Sequence, residues 1–203
     1  MRDLSFMLAG VGGQGIILAG DVLAEVGLQA GWDVKKSEVH GMAQRGGGVT
    51  SQVRWGRRVY SPLAEPGRID ILIGFEVLEA LRNVHYLQSG GQAVVNRYHL
   101  PPPSVTGGEA AYPADADVER EFAARGATLR WMCPPPGTER LAVGVQLLGL
   151  VSAIEPLRGT FPAEAWLNAL DRLVPPAHRE LNRRAFQRGR AAAANGPPGR
   201  GEG

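Results

Sequence analysis

Two short runs constrain the chain more than any other feature: Phe6-Met7-Leu8-Ala9 and Ile69-Asp70-Ile71-Leu72-Ile73-Gly74. Both are too uniformly apolar to show a face to water, and each is followed within a few residues by apolar positions at helical spacing. Strands buried on both faces belong to parallel sheets whose crossovers are helices. After the first run, Gly10-Val11-Gly12-Gly13-Gln14-Gly15 leads into Ile16, Ile17, Leu18, Val22, Leu23 and Val26, a predicted helix that Gly31 caps. After the second, a helix is predicted over Val77 to Leu87, stopped by Gly90-Gly91, with Gln92 to Asn96 as the next strand. Strand and helix alternation of this kind predicts an α/β fold: a Rossmann-like, mostly parallel sheet with helices on both faces.

The remaining segments fill in that frame. A second strand begins near Trp32-Asp33-Val34, and Ser37 to Gly48 reads as a loop because of its glycines. Val49, Ser51, Val53 and Trp55 alternate with polar residues, predicting a half-buried strand that Gly56-Arg57 turns back through Arg58-Val59-Tyr60 as an added β-hairpin. The prolines of Leu100 to Gly108 predict irregular chain. A short strand near Ala110 to Tyr112, a helix over Val118 to Arg125 and a strand over Thr128 to Met132 follow. Helices are then expected over Arg140 to Ile154, after Pro162, and over His178 to Arg188. Residues 1–188 are expected to form one domain and 189–203 a disordered tail.

Composition sets the outer limits. The 203 residues, 44% hydrophobic and 21% charged, suffice for a single core covering about 70% of the unfolded surface. With 22 Lys and Arg against 20 Asp and Glu, a net charge of +2 gives no general field for nucleic acid or an anionic membrane. The opening residues fit neither a signal peptide nor a membrane span, so a cytoplasmic protein is expected. A single cysteine, Cys133, excludes an internal disulfide, a zinc site built on two thiolates and an iron–sulfur cluster. His85, His99 and His178 have no metal-ligand spacing.

Gly10, Gly12 and Gly15 satisfy a GxGxxG pattern between a strand and a helix, where glycines permit a tight turn and the approach of a phosphate to helix N-terminal amides. A dinucleotide reading also requires an acid ending the second strand, and Glu38 is the candidate. The competing reading is that the glycines let strand and helix pack closely while Gln14 bonds neighbouring backbone. Pattern alone leaves both open. With the second strand on one side of the first and the Ile69 strand on the other, the Gly10–Gly15 turn, the Glu38–Gly48 loop and the Gly74-Phe75-Glu76 turn should gather on one sheet edge.

Four segments together carry a resemblance: Gly10 to Gly15; Ser37-Glu38-Val39-His40-Gly41-Met42-Ala43-Gln44-Arg45-Gly46-Gly47; Val53-Arg54-Trp55-Gly56 with Ser61-Pro62-Leu63; and Gly74-Phe75-Glu76-Val77-Leu78-Glu79-Ala80-Leu81-Arg82. They resemble the gamma-type domain of 2-oxoacid:ferredoxin oxidoreductases, closest to the beta subunit of the indolepyruvate enzymes. The match is dense over residues 8–96, returns at Asn182, Ala185, Phe186 and Gly189, and is poor over about 100–140. There Cys133-Pro134-Pro135-Pro136-Gly137 and Gly144 replace a stretch that in the family ends in an asparagine.

The resemblance implies CoA-dependent oxidative decarboxylation of a 2-oxoacid, with electrons passed to ferredoxin. Thiamine diphosphate, Mg and 4Fe-4S clusters are expected in a large partner subunit, with none bound by this chain alone, and CoA is the co-substrate. This chain would pack on that partner and contribute to a substrate or CoA site, or to the subunit contact, through Gly10, Gly12, Gly13, Gln14, Gly15, Glu38, His40, Gly41, Met42, Gln44, Arg45, Gly46, Gly47 and Glu76, with no catalytic residue of its own. Arg45 would anchor a carboxylate or phosphate, and His40 would either carry a proton or hold the loop. The alternatives are a free-standing NAD(P)- or flavin-binding oxidoreductase and a structural homodimer without catalysis. Exposed interface surface leaves room for a homodimer in isolation.

Overall fold

The computed structural model describes residues 3–40 and 47–194, without the side chains of His40, Arg140, Leu141 and Ala194. One six-stranded sheet organises the chain, with strands β1 (Leu4–Val11), β2 (Asp33–His40), β3 (Gly48–Gly56), β4 (Ile69–Gly74), β5 (Leu87–Asn96) and β6 (Thr128–Met132) in the order β2-β3-β1-β4-β5-β6. The run from β1 through β6 is parallel, whereas β3 is antiparallel to both its neighbours. Helices α1 (Ile16–Gln29), α5 (Arg140–Val151), α6 (Ala163–Leu173) and α7 (Arg179–Ala194) build the core on one face. On the other face, α2 (Val77–Arg82) and α4 (Asp115–Ala124) cover a smaller cluster around Met7, Leu72 and Val95.

The α/β class and helices on both faces are as expected, but the hairpin lies elsewhere. It joins β2 to β3 across the glycine-rich stretch, and β3 inserts between β2 and β1. Eight residue pairs on each side of β3 make that insertion, from Leu4↔Trp55 to Val11↔Gly48 and from Asp33↔Gly56 to His40↔Val49. β2 therefore continues through Ser37 to His40, residues assigned from sequence to a loop. Arg58-Val59-Tyr60 form no return strand: side chains pin this segment instead, with the Val59 amide donating to Asp33 Oδ2 (2.8 Å) and the Ala64 amide to Gln52 Oε1 (2.7 Å).

Other differences are local. Helix α2 ends at Arg82, where Asn83 Nδ2 donates to the Glu79 carbonyl (2.9 Å), and a 3₁₀ turn follows over Val84–Tyr86. Gly90-Gly91 lie within β5, where the register steps from Ile69↔Leu87 to Ile71↔Gln92, so these glycines make a bulge rather than a helix stop. Pro103–Thr106 form a single helical turn, α3, because a proline fixed near φ −65° suits a first helical position. No strand forms at Ala110 to Tyr112; Tyr112 is held through its hydroxyl, described below. Gly31 caps α1 as expected, its amide donating to the Leu28 carbonyl and that of Trp32 to the Gly27 carbonyl, a Schellman pair.

Helix α7 runs to Ala194, past Gly189 where sequence placed the start of a tail; residues 195–203 lie outside the described residues. Gly189 is instead part of a close helix crossing. A Cβ at Gly149 in α5 would collide with the Phe186 carbonyl of α7, and one at Gly189 with the Gln146 carbonyl of α5. Arg190 closes the pair by donating to Ser152 Oγ (2.9 Å) at the end of α5.

Gly149→Ala should therefore cost about 1–3 kcal/mol through overpacking, although alanine is the better helix former. Gly12→Ala, which meets nothing within 4 Å, should shift stability by less than about 0.5 kcal/mol. Urea unfolding of the two variants beside the wild type measures the contrast.

Candidate functional site

Because β1, β2, β4, β5 and β6 run the same way, their carboxyl ends share one edge, joined there by the start of β3. The register aligns Val11 with Gly48, His40 with Val49, Ala9 with Gly74 and Asn96 with Met132. The Gly12 amide donates to the Gly47 carbonyl (3.3 Å), tying the glycine turn to the mouth of the β2–β3 connection. Gly10, Gly12, Gly13, Gln14, Gly15, Glu38, His40, Gly47 and Glu76 all fall on this edge, as the sequence predicts. Gly41, Met42, Gln44, Arg45 and Gly46 lie outside the described residues.

At the glycine turn, side chains are committed to the protein itself. Gln14 is 7% exposed; its Oε1 accepts from the Val11 amide (2.7 Å) and its Nε2 donates to the Phe75 carbonyl (3.3 Å). Asn96, 6% exposed at the end of β5, donates its Nδ2 to the same carbonyl (3.1 Å). A Cβ at Gly10 would sit 2.6 Å from both Gln14 Oε1 and Phe75 Cβ, which is why only glycine lets β1 leave the sheet here. Gly13 and Gly15 have φ of 87° and 84°, the left-handed region that glycine enters without a steric penalty. The close-packing reading of Gly10 and Gln14 thus has direct geometric support, while Gly12 and Gly13 have open space where a Cβ would be.

The dinucleotide geometry is not met. β2 is not the neighbour of β1, so Glu38 stands two strand spacings, about 10 Å, from the strand carrying the glycines. Its carboxylate is 2.6 Å from Lys36 Nζ, and Lys36 also pairs with Asp21 of α1.

Glu76 is likewise engaged. It is 1% exposed and caps α2, its Oε2 accepting from the Glu79 amide (2.8 Å), while Oε1 accepts from the Leu100 amide (3.0 Å) and from the Tyr112 hydroxyl. Burial, together with the Glu76 carboxylate, pushes the Tyr112 hydroxyl far above its ordinary range. Glu79, one turn on, lies against the Gly48 backbone and pairs with Arg82 (2.5 Å); burial raises its pKa above the usual 4.5, with Arg82 opposing. A second cluster braces the strap after β5: Asp115 pairs with Arg97 (2.5 Å) and His99 (2.8 Å).

Sequence reasoning passed over the concavity beside this rim. A cleft of about 300 Å³ opens between the ends of β4 and β5 and the segment leading into α5, with Gln14, Phe75, Asn96, Tyr98, Pro135 and Val143 among its walls. Asn96 carried a readable signal, a polar residue ending the apolar run Ala93-Val94-Val95 at the carboxyl edge. The residues around Pro135 carried none. Among the described residues no cluster of three His, Cys, Asp or Glu could hold a metal, and no helix is long and apolar enough to cross a membrane. The chain does not fit an iron–sulfur cluster, with one thiol that is exposed. Nor does Gly20-Asp21 fit a metal–diphosphate site, since Asp21 belongs to α1 and is held by Lys36.

Fold and rim together define an α/β domain with a braced, glycine-lined carboxyl edge. The sequence profile of the pyruvate ferredoxin/flavodoxin oxidoreductase family matches residues 5–192, and the chain belongs to that family. It is 34% identical to the indolepyruvate oxidoreductase subunit IorB of Thermococcus kodakarensis and 36% identical to that of Pyrococcus horikoshii, in both cases over 95% of this chain and 97% of the relative. Among solved structures it is similar to the keto/oxoacid ferredoxin oxidoreductase gamma subunit of Geobacter sulfurreducens, with a TM-score of 0.64 at 24% identity, covering 95% of this chain and 99% of that one.

Two outcomes test the rim. Glu76→Ala, which strands the buried Glu79 amide and unties the Leu100 amide and the Tyr112 hydroxyl, should destabilise the protein by about 1–3 kcal/mol, read by urea unfolding. For Glu79, a pKa raised by burial means the native state holds the proton more tightly than the unfolded chain. Its contribution is fully present below pH 4.5 and lost as pH rises through the folded value. Unfolding free energies collected from pH 4.5 to 7 should show that component of the slope disappearing in Glu79→Gln.

Proposed function

We propose that the chain is the small subunit of a 2-oxoacid:ferredoxin oxidoreductase of the indolepyruvate type, acting only with a large subunit that carries thiamine diphosphate, Mg and 4Fe-4S clusters. What supports this reading most is the near full-length similarity to two indolepyruvate oxidoreductase subunits, in a chain whose single cysteine cannot hold a cluster. The partner's cofactors supply carbanion stabilisation and single-electron transfer. This chain offers its carboxyl edge to that partner, closes the cleft over the reacting centre, and contributes to the site for the anionic substrate or CoA. Within that edge Gln14, Asn96 and Glu76 hold the rim's shape; the charged anchor for a carboxylate or phosphate is assigned, on the sequence resemblance alone, to Arg45. Ferredoxin is reached through the complex.

Co-expression with a large subunit that carries thiamine diphosphate and iron–sulfur clusters should yield a brown complex that reduces ferredoxin with 2-oxoacid and CoA, while neither protein does so alone. Indolepyruvate should exceed pyruvate and 2-oxoglutarate by at least about tenfold in kcat/KM. Separate elution of the two proteins with no activity on mixing sinks the assignment. In the active complex, Arg45→Ala should raise KM for CoA or for the 2-oxoacid about tenfold, the loss expected for one charge-assisted hydrogen-bond pair.

A further inference from the structure

The open side of the sheet and the outward side of α1 run along one line. β2 ends the strand order, with β3 on one side and no strand on the other among the described residues, and none of its residues from Asp33 to Val39 is buried. An edge strand of this kind offers a row of backbone donors and acceptors that lack a ladder partner. Lysines usually keep such an edge apart. Here, however, Lys35 is paired with Asp33 and Lys36 with Glu38 (2.6 Å), so both ammonium groups are compensated within the strand.

Above this edge, α1 rests on β3, where Gly20 and Gly27 admit Ser51 and Trp55, and Lys36 reaches from β2 to Asp21. Ile17, Asp21, Ala24 and Leu28 follow at spacings of three and four residues, so they share one stripe of the helix. The Asp21–Lys36 pair turns that stripe toward β2. Ile17 is 46% and Leu28 54% exposed. An apolar stripe thus lies open beside an unpaired strand.

A second copy of the chain satisfies both features at once. Two β2 strands pairing antiparallel across this edge are related by a two-fold axis normal to the sheet, which keeps each face of the sheet on its own side. Opposed residues then share a face, so the axis passes through a residue position and not between two. With Lys35, Lys36 or Glu38 on the axis, like charges stand opposite each other, which is destabilising. With Ser37 on the axis, Ser37 meets Ser37, and Lys36 of each copy meets Glu38 of the other. The same axis sets the two α1 helices antiparallel on one face, bringing Ile17 of one copy toward Leu28 of the other. The midpoint of the stripe falls between Asp21 and Ala24, and the Asp21–Lys36 pair places it next to Ser37. Strand and helix call for the same axis.

We propose that β2 and the Ile17–Leu28 stripe of α1 form the contact of a symmetric homodimer, centred on Ser37, in which two sheets join edge to edge. Because β2 runs in the direction of β1 and β4, the two carboxyl rims point away from each other in that dimer. Each rim stays free for a partner of its own.

Sedimentation velocity on the full chain alone should show a reversible monomer–dimer equilibrium with a Kd on the order of 10 µM, as suits a small interface. Ile17→Glu combined with Leu28→Glu, both at exposed positions, should leave the melting curve of the wild type and raise Kd at least about tenfold. The axis is read by cross-linking in a Cys133→Ser background, which removes the exposed native thiol. There Ser37→Cys should give a disulfide-linked dimer on mild oxidation, whereas Lys35→Cys, whose two copies stand about 13 Å apart along the paired strands, should not. A chain that stays monomeric at about 0.5 mM overturns the proposal. So does a dimer that the paired glutamates leave intact, or one that Ser37→Cys does not link, since its copies meet elsewhere. If the wild type never dimerises and the glutamate variant loses its large subunit, the stripe belongs to that subunit and the proposal falls.

Discussion

The carbonyl of Phe75 is the point on which the rim turns. It lies just past the end of β4, where the ladder has run out, and a buried carbonyl there must find donors or lose on the order of 1–3 kcal/mol. It finds two side-chain amides, Gln14 from the β1–α1 turn and Asn96 from the end of β5. One backbone atom thereby ties three consecutive parallel strands at their carboxyl ends. Gly10 and Gly144 are the sterically necessary complements: Gly10 lets Gln14 and Phe75 approach the β1 backbone, and Gly144 lets α5 lie against the Phe75 ring.

A rim built in this way differs from a nucleotide-binding turn that begins with the same glycines. In the latter the glycine amides and the acid of the adjacent strand remain available to a ligand. Here β3 occupies the place next to β1, Glu38 is drawn to Lys36 and Asp21 in turn to the same ammonium, and the Gln14 amide is spent on backbone. The glycine pattern reports a close approach, and what approaches is the protein's own Gln14 and Phe75.

The fold was legible where burial is uniform along a strand. β4 begins and ends at the residues its apolar run predicts, because a doubly covered strand writes its limits into its own composition. β3 was legible as a strand and not as a neighbour. Alternation says that one face is buried, which Val49, Ser51, Val53 and Trp55 satisfy against α1, but it says nothing of which strands flank it. That choice is made by Gly20 and Gly27 of α1, which let the helix settle on Ser51 and Trp55. On the rim, the glycine turn was visible because positive φ selects a residue type. Asn96 read only as the end of an apolar strand, and Glu76, read as a site residue, spends one oxygen capping α2 and the other on the Leu100 amide and the Tyr112 hydroxyl.

A chain whose single cysteine cannot hold an iron–sulfur cluster must act through shape and a small number of placed groups. Ordering an interface on association costs about 0.5–1.5 kcal/mol for each mobile side chain it immobilises. Gln14, Asn96, Glu76 and Glu79 are ordered in the folded chain before any partner arrives, each held by bonds within the domain. The Asp115 pairs with Arg97 and His99 extend the same bracing to the strap beyond β5, so the cleft wall is fixed from both sides. A rim with this little freedom can meet a second polypeptide without reorganising.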